Sequence, residues 1–206
     1  VIALGLPERS VPVLNLVAFD TLLDWTAGAD AFINFGVSKR IEDTIAAEIK
    51  DVLKKTSGQD PRGNSLRMFS KSLHNVPPLF ETVRGKEIVE GNAFLSVIEA
   101  INELEGQAHD YHALEPLLEK IRQKTAPFAR NDSRNFFAAV QWCLDHDMIQ
   151  QGITFLQEGI ISMILDECGF ESNDEDYRDL CSQAFKIVSQ KIPEDDWLDS
   201  SKENRE

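Results

Sequence analysis

The chain has 206 residues, 42% of them apolar, and 35 acidic against 21 basic side chains give a formal net charge of −14. That length allows one large domain or two small ones with a real core. The acidic balance excludes a packaging role and argues against a broad phosphate-binding face, although a local cationic patch stays compatible with transient nucleic-acid contact.

No run approaches the ~18 to 20 consecutive apolar residues that span a bilayer, and no charged-then-apolar leader opens the sequence. The expectation is a cytoplasmic protein with no membrane partner. Cys143, Cys168 and Cys181 stand far apart with no CxxC, which suits buried thiols in a reducing compartment better than a disulfide or zinc framework. The start at Val1, on an apolar stretch, reads as a piece of a longer polypeptide.

Taken in order, "VIALGLPERSVPVLNL" holds two prolines and alternates poorly, so residues 1–12 read as a short extended linker leaving a preceding domain. From about Asn15 to Phe35 apolar residues recur at helical spacing, and Gly36 follows where a left-handed C-cap is wanted. Trp25 in this stretch is read as packing. Ser38 precedes a second amphipathic helix through Ile41, Ile45, Ile49 and Val52, ending near Gly58, and "SGQDPRGN" is a loop by composition. Leu66, Phe69 and Leu73 mark a third helix. Pro77-Pro78 interrupts the pattern, and residues 79–104 resume it, with Gly85 and Gly91 as places for a kink. Further helices are predicted over 112–125, 132–146, 148–168 and 174–191, with a polar tail, 192–206, that frays.

The fold class is therefore all-α, a bundle of about seven to eight helices over residues 13–191 behind a short extended segment. In the helix after His146, Ile149, Ile153, Leu156, Ile160 and Ile164 form a stripe expected to face the core. Gln151 and Glu158, seven apart, lie at its edge. The two are either a boundary pair bonded to a neighbouring backbone or to solvent, or residues that orient an active-site arginine from elsewhere.

Chemistry-bearing patterns are sparse. "AHDYHALE" sets His109 and His112 three apart beside Asp110 and Glu115, a metal-ligand spacing if helical, but no second cluster accompanies it and Pro116 marks a helix entrance, so no metal or cofactor is assigned. No Gly-rich phosphate loop, GxSxG or HExxH occurs. Arg67 and His74 are the nearest match to an arginine–histidine pair for metal-independent RNA cleavage, in which the histidine moves protons at the 2′-hydroxyl and leaving oxygen and the arginine holds phosphorane charge. On a continuous helix they share a face but stand about 10 Å apart along the axis, too far to grip one phosphate. Arg84 in "ETVRGKEI" is the other basic residue of interest, otherwise a surface or helix-terminal arginine.

"PVLNLVAFDTLLDWTAGADAFINFGV", "FSKSL", "TVRGKEI" and "RNFFAAVQWCLDHDMIQQGITFLQEGIISMIL" together resemble the helical half of the CARF–HEPN ribonucleases of CRISPR type III systems. The likeness covers most of residues 8–168 and consists of degenerate apolar, aromatic and small positions. It implies an HEPN-like helical domain, metal-free cleavage of single-stranded RNA by a homodimer, no DNA partner, and activation by cyclic oligoadenylate bound to a separate Rossmann-like CARF sensor. In that family the R-x(4–6)-H motif follows the segment matched by 147–165, and no histidine lies between Gly169 and Glu206. The resemblance thus implies either a catalytic pair outside these residues or an inactive member, and carries over only supporting residues: Arg84, Gln151 and Glu158. A non-enzymatic helical interaction module, binding a protein partner, is the alternative.

Overall fold

The computed structural model describes residues 17–106 and 114–204, with side chains from residue 19 onward in the first stretch. The expected extended linker and His109, Asp110 and His112 lie outside the described residues. Among those described, all regular structure is helical: α1 (Val17–Phe35), α2 (Lys39–Lys55), α3 (Pro61–His74), α4 (Pro77–Glu81), α5 (Gly85–Glu90), α6 (Asn92–Gly106), α7 (Glu115–Thr125), α8 (Asn135–Asp145), α9 (Ile149–Cys168), α10 (Glu175–Gln190) and α11 (Asp199–Glu203), with a 3₁₀ turn at Glu194–Asp196. Eight of these helices have eleven or more residues, so the expected all-α bundle is what forms. No described helix is long and apolar enough to cross a membrane.

Local sequence explains most boundaries, and three differ from expectation for identifiable reasons. Half of the loop expected at 57–64 is helix, because Asp60 caps α3 by accepting from Gly63 N at 2.6 Å and Pro61 occupies the first turn, where its missing N–H costs nothing. The single kinked helix expected over 79–104 is three helices. Val83 (φ 52°) separates α4 from α5, and Gly91 (φ 71°) closes α5 in the left-handed conformation. A Cβ on Gly91 would fall 2.1 Å from Ala129 O, so only glycine fits there. The tail expected to fray carries the 3₁₀ turn and α11, held by Trp197 Nε1 donating to Ile192 O at 2.9 Å and by Ser201 donating to Gln183.

Consecutive helices pack as neighbours, α1 on α2, α2 on α3 and α8 on α9, while α3 on α6, α1 on α7 and α5 on α8 tie distant segments together. The core is aromatic at its centre. Phe80 stacks on Trp142 (centroids 4.6 Å, planes 4° apart) and meets Phe94, Phe128 and Phe155 edge-on at 6.0–6.1 Å. All five rings are buried. Each removes an apolar surface worth about 2–3 kcal/mol from water, and offset or edge-on ring pairs add to that. Trp25 is buried too, its indole N–H donating to Glu48 at 3.0 Å, which accords with its reading as packing.

The helix-pairing face of α9 corrects the sequence reading. Gly152, Phe155, Gly159, Ser162 and Leu165 are its buried residues, whereas Ile149, Ile153 and Leu156 are exposed, and Ile160 and Ile164 are half-buried. The reason is close approach: a Cβ on Gly152 would sit 3.1 Å from Cys143 Cβ and one on Gly159 2.9 Å from Phe136 Cβ, so the small-residue face lets α8 come nearer than a branched stripe would.

Candidate functional site

The segments "TVRGKEI" and "RNFFAAVQWCLDHDMIQQGITFLQEGII" come together through one buried amide. Asn135, 1% exposed at the start of α8, donates through Nδ2 to Ile88 O at 2.9 Å, Val89 O at 3.2 Å and Ala129 O, and accepts from Ala129 N at 2.9 Å. It thereby satisfies the end of α5 and the 129–135 turn at once, which is what a buried polar side chain must do to be tolerated. Gly85 lies against Phe136 from the same side.

Beside this joint runs a cleft of about 720 Å³ between α5, the 131–133 turn, α9 and the start of α10, lined by Lys86, Glu90, Ser133, Glu158, Asp166 and Arg178 among others. Its fixed feature is Arg178. The guanidinium donates to Ser162 Oγ at 2.9 Å, to Ser172 O and to Glu158 O at 3.4 Å, and forms a short ion pair with the Glu158 carboxylate. Ser162 is buried on α9, so the guanidinium is held by four acceptors, three on α9 and one in the loop before α10. Such charge-assisted, multiply bonded arginines have little freedom left. Glu158 is thus paired with an arginine of α10 and not with backbone or solvent alone. Arg178 itself was not anticipated: its only local signal is a basic residue in the otherwise acidic start of α10, "DEDYRD", and its partners lie 6 to 20 residues away.

The other anticipated residues do not join this cleft. Arg84 is the N-cap of α5, about half exposed, with Nε donating to Thr82 Oγ1 at 3.0 Å and its guanidinium 3.7 Å from Glu87. Gln151 is half-buried on α9, two turns before Glu158. Arg67 and His74 both lie on α3, which runs unbroken from Pro61 to His74, so the separation of about 10 Å along the axis persists. His74 instead faces Glu42 of α2 (Nδ1 to Oε2, 3.2 Å) and Arg67 is exposed. Among the described residues no group of three or more His, Cys, Asp or Glu could hold a metal ion.

The junction "LDHDM" is structural. His146 caps α8 with Nδ1 against Trp142 O at 2.7 Å and Nε2 against Ile33 O at 3.1 Å, stitching α8 to the end of α1. Asp147 takes a positive φ of 58°, which reverses the chain into α9. Of the cysteines only Cys143 is the buried thiol expected, and burial pushes it up to about 11, which silences it as a nucleophile. Cys168 is exposed and Cys181 half-buried on the rim between α9 and α10.

No family model, curated protein or solved structure matches the chain.

Proposed function

We propose that the chain is the helical portion of an ancillary ribonuclease of CRISPR type III antiviral defence. In this reading it works in the cytosol as a homodimer and cleaves single-stranded RNA without metal. Cyclic oligoadenylate bound by a separate CARF sensor switches it on, and the HEPN arginine–histidine pair comes from sequence other than these 206 residues.

One observation carries the reading. Two of the four segments that bear the family resemblance, "TVRGKEI" and the one that begins "RNFF", are joined by Asn135, and beside that joint Glu158, in the family-like "FLQEGII", fixes a guanidinium in a cleft. Attack of a 2′-hydroxyl on the adjacent phosphate needs a proton acceptor and a donor array preorganised for phosphorane charge, and precision in such a site comes from supporting carboxylates on rigid helices. The acidic surroundings of the cleft, Glu90, Asp166 and Glu175 beside Lys86 and Arg178, suit a supporting role better than RNA gripping.

The test is cleavage of a fluorescent single-stranded RNA in EDTA, by the 206-residue chain and by a polypeptide joining it to its sensor, with and without cyclic oligoadenylate. Activator-dependent cleavage by the longer form and none by the shorter is expected. Cleavage that requires a divalent metal, ignores the activator, or never appears in the longer form overturns the reading. Cleavage by the 206 residues that is lost in Arg67→Ala or His74→Ala moves the site to α3.

The alternative of a non-enzymatic interaction module draws on a different observation, the apolar residues that α9 leaves uncovered.

A further inference from the structure

Two of the three cysteines line one groove between α9 and α10. On α9 Leu165 and Cys168, three apart and so on one helix face, form one wall; on α10 Tyr177, Cys181 and Ala184, at intervals of four and three, form the other. Nothing in their spacing marks Cys168 and Cys181 as a pair. The turn at Gly169 sends the chain back along α9, and the stack of Phe170 on Tyr177, ring centroids 4.5 Å apart, sets the register of the two antiparallel helices. Cys168 lies two residues before that ring pair and Cys181 one helical turn after it, so both thiols belong to the next layer of the same groove.

The two also sense each other. Burial first, and next the charge of Cys168, push the Cys181 thiol up, against a smaller lowering by Arg178. A like charge raises a thiol only when it stands close by. The third cysteine has no part in this: Cys143 is fully buried in the aromatic core, away from any oxidant.

We propose that Cys168 and Cys181 are a redox modification site, closing to an intrachain disulfide in the presence of a peroxide or a glutathione disulfide and opening again with a thiol reductant. All three cysteines are free in the structure, which therefore describes the reduced chain. Cys168 is exposed and Cys181 half-buried, so Cys168 meets the oxidant and Cys181 resolves. With hydrogen peroxide, the Cys168 thiolate attacks one oxygen, the O–O bond breaks, the other oxygen leaves as water after taking a proton, and Cys168 becomes a sulfenic acid. The Cys181 thiolate then attacks that sulfur, the S–O bond breaks, and hydroxide leaves to become a second water. Two thiols have lost two electrons and one peroxide has gained them. With glutathione disulfide, Cys168 releases one reduced glutathione in forming the mixed disulfide and Cys181 displaces the other.

The consequence falls on α10. It buries no residue of its own, and an element so thinly covered opens readily. Cys181 stands one turn after Arg178, so the bridge pins the part of α10 that carries the guanidinium to Glu158 and Ser162. This site is independent of the ribonuclease reading.

The test equilibrates the unmodified 206-residue chain in glutathione redox buffers, once folded and once in urea that unfolds it, and maps the disulfides by mass spectrometry of unreduced peptides. The expected product is a single chain, two hydrogens lighter, with Cys168 joined to Cys181. Its formation constant is expected to be roughly 100-fold larger in the folded chain, the effect of closing a loop of about 15 residues, and by linkage the bridge then stabilises the fold by the same factor. Amide exchange in α10 slows on oxidation while that of α6 holds steady, and dithiothreitol reverses both mass and exchange. Cys181→Ser is expected to leave one glutathione on Cys168 and no bridge. A bridge to Cys143, covalent dimers in place of the intrachain product, or a formation constant no larger folded than in urea overturns the proposal.

Discussion

The body formed by α1 to α9 and the outrigger formed by α10 and α11 differ in how completely their apolar faces are covered. In the body, Phe80, Trp142, Phe94, Phe128 and Phe155 are buried ring against ring and contributed by residues 80 to 155, so each helix there is stabilised by the others. On α10 no residue is buried although its apolar and polar residues are well segregated, and its main neighbours are α9 and α11. Its attachment combines polar links, Arg178 into α9 and Gln183 accepting from Ser200 and Ser201 of α11, with apolar contact that stays open to solvent, where Phe170 stacks on Tyr177 and Leu165, Leu180 and Ile187 line one groove. Amphipathic patterning thus shows which side of a helix can be covered, whereas burial depends on how many neighbours arrive to cover it.

The largest effect that sharpens this contrast is expected at the aromatic centre. Phe80→Ala leaves a cavity among four rings and should destabilise the whole chain by about 3–5 kcal/mol, seen as a lower urea midpoint reported alike by every helix. Equal loss of only local order would break the picture of one cooperative body. Next, Arg178→Ala removes a guanidinium with four acceptors and leaves Glu158 without its partner. A cost of about 1–3 kcal/mol is expected, with amide hydrogen exchange accelerating in α10 and α11 and holding steady in α2, α3 and α6. Uniform acceleration would show the outrigger to be integral to the core.

The smallest effect concerns an ion pair on the body's rim. Lys124, by hydrogen bond and charge, with help from Gln141, holds the Asp145 carboxyl below its usual value of 3.8. A depressed folded-state value adds stability that is present above the unfolded value and lost as pH falls through the folded one. Asp145→Asn should therefore destabilise by less than ~1 kcal/mol at pH 7, since the pair is solvent-screened, and the difference from the unmodified chain should shrink as pH drops below about 3.8. A difference that persists at lower pH would point to packing and not to charge.

Helix identity and order are legible in the sequence, because the 3.6-residue period of apolar side chains is a local property. The caps at Asp60 and Asp174 rest on equally local bonds, to N–H groups two and three residues further on. Glu158 stands out for the same reason, as a lone carboxylate at the edge of an apolar helix. Its arginine does not, since residue 178 reaches it only after the chain has turned at Gly169 and run back along α9.

What the amino-acid order decided alone was therefore the all-helical class and where most helices begin and end, since hydrogen bonding and side-chain rotation within a few residues determine both. Which face of α9 is buried was decided by tertiary structure: glycine contributes no apolar signal to the pattern, yet Gly152 and Gly159 permit the closest approach of α8, and the dense packing of the two helices there outweighs burial of a wider isoleucine stripe. That choice turned Ile149, Ile153 and Leu156 outward, because a helix wedged by its small residues against one neighbour cannot present its large ones to the same core.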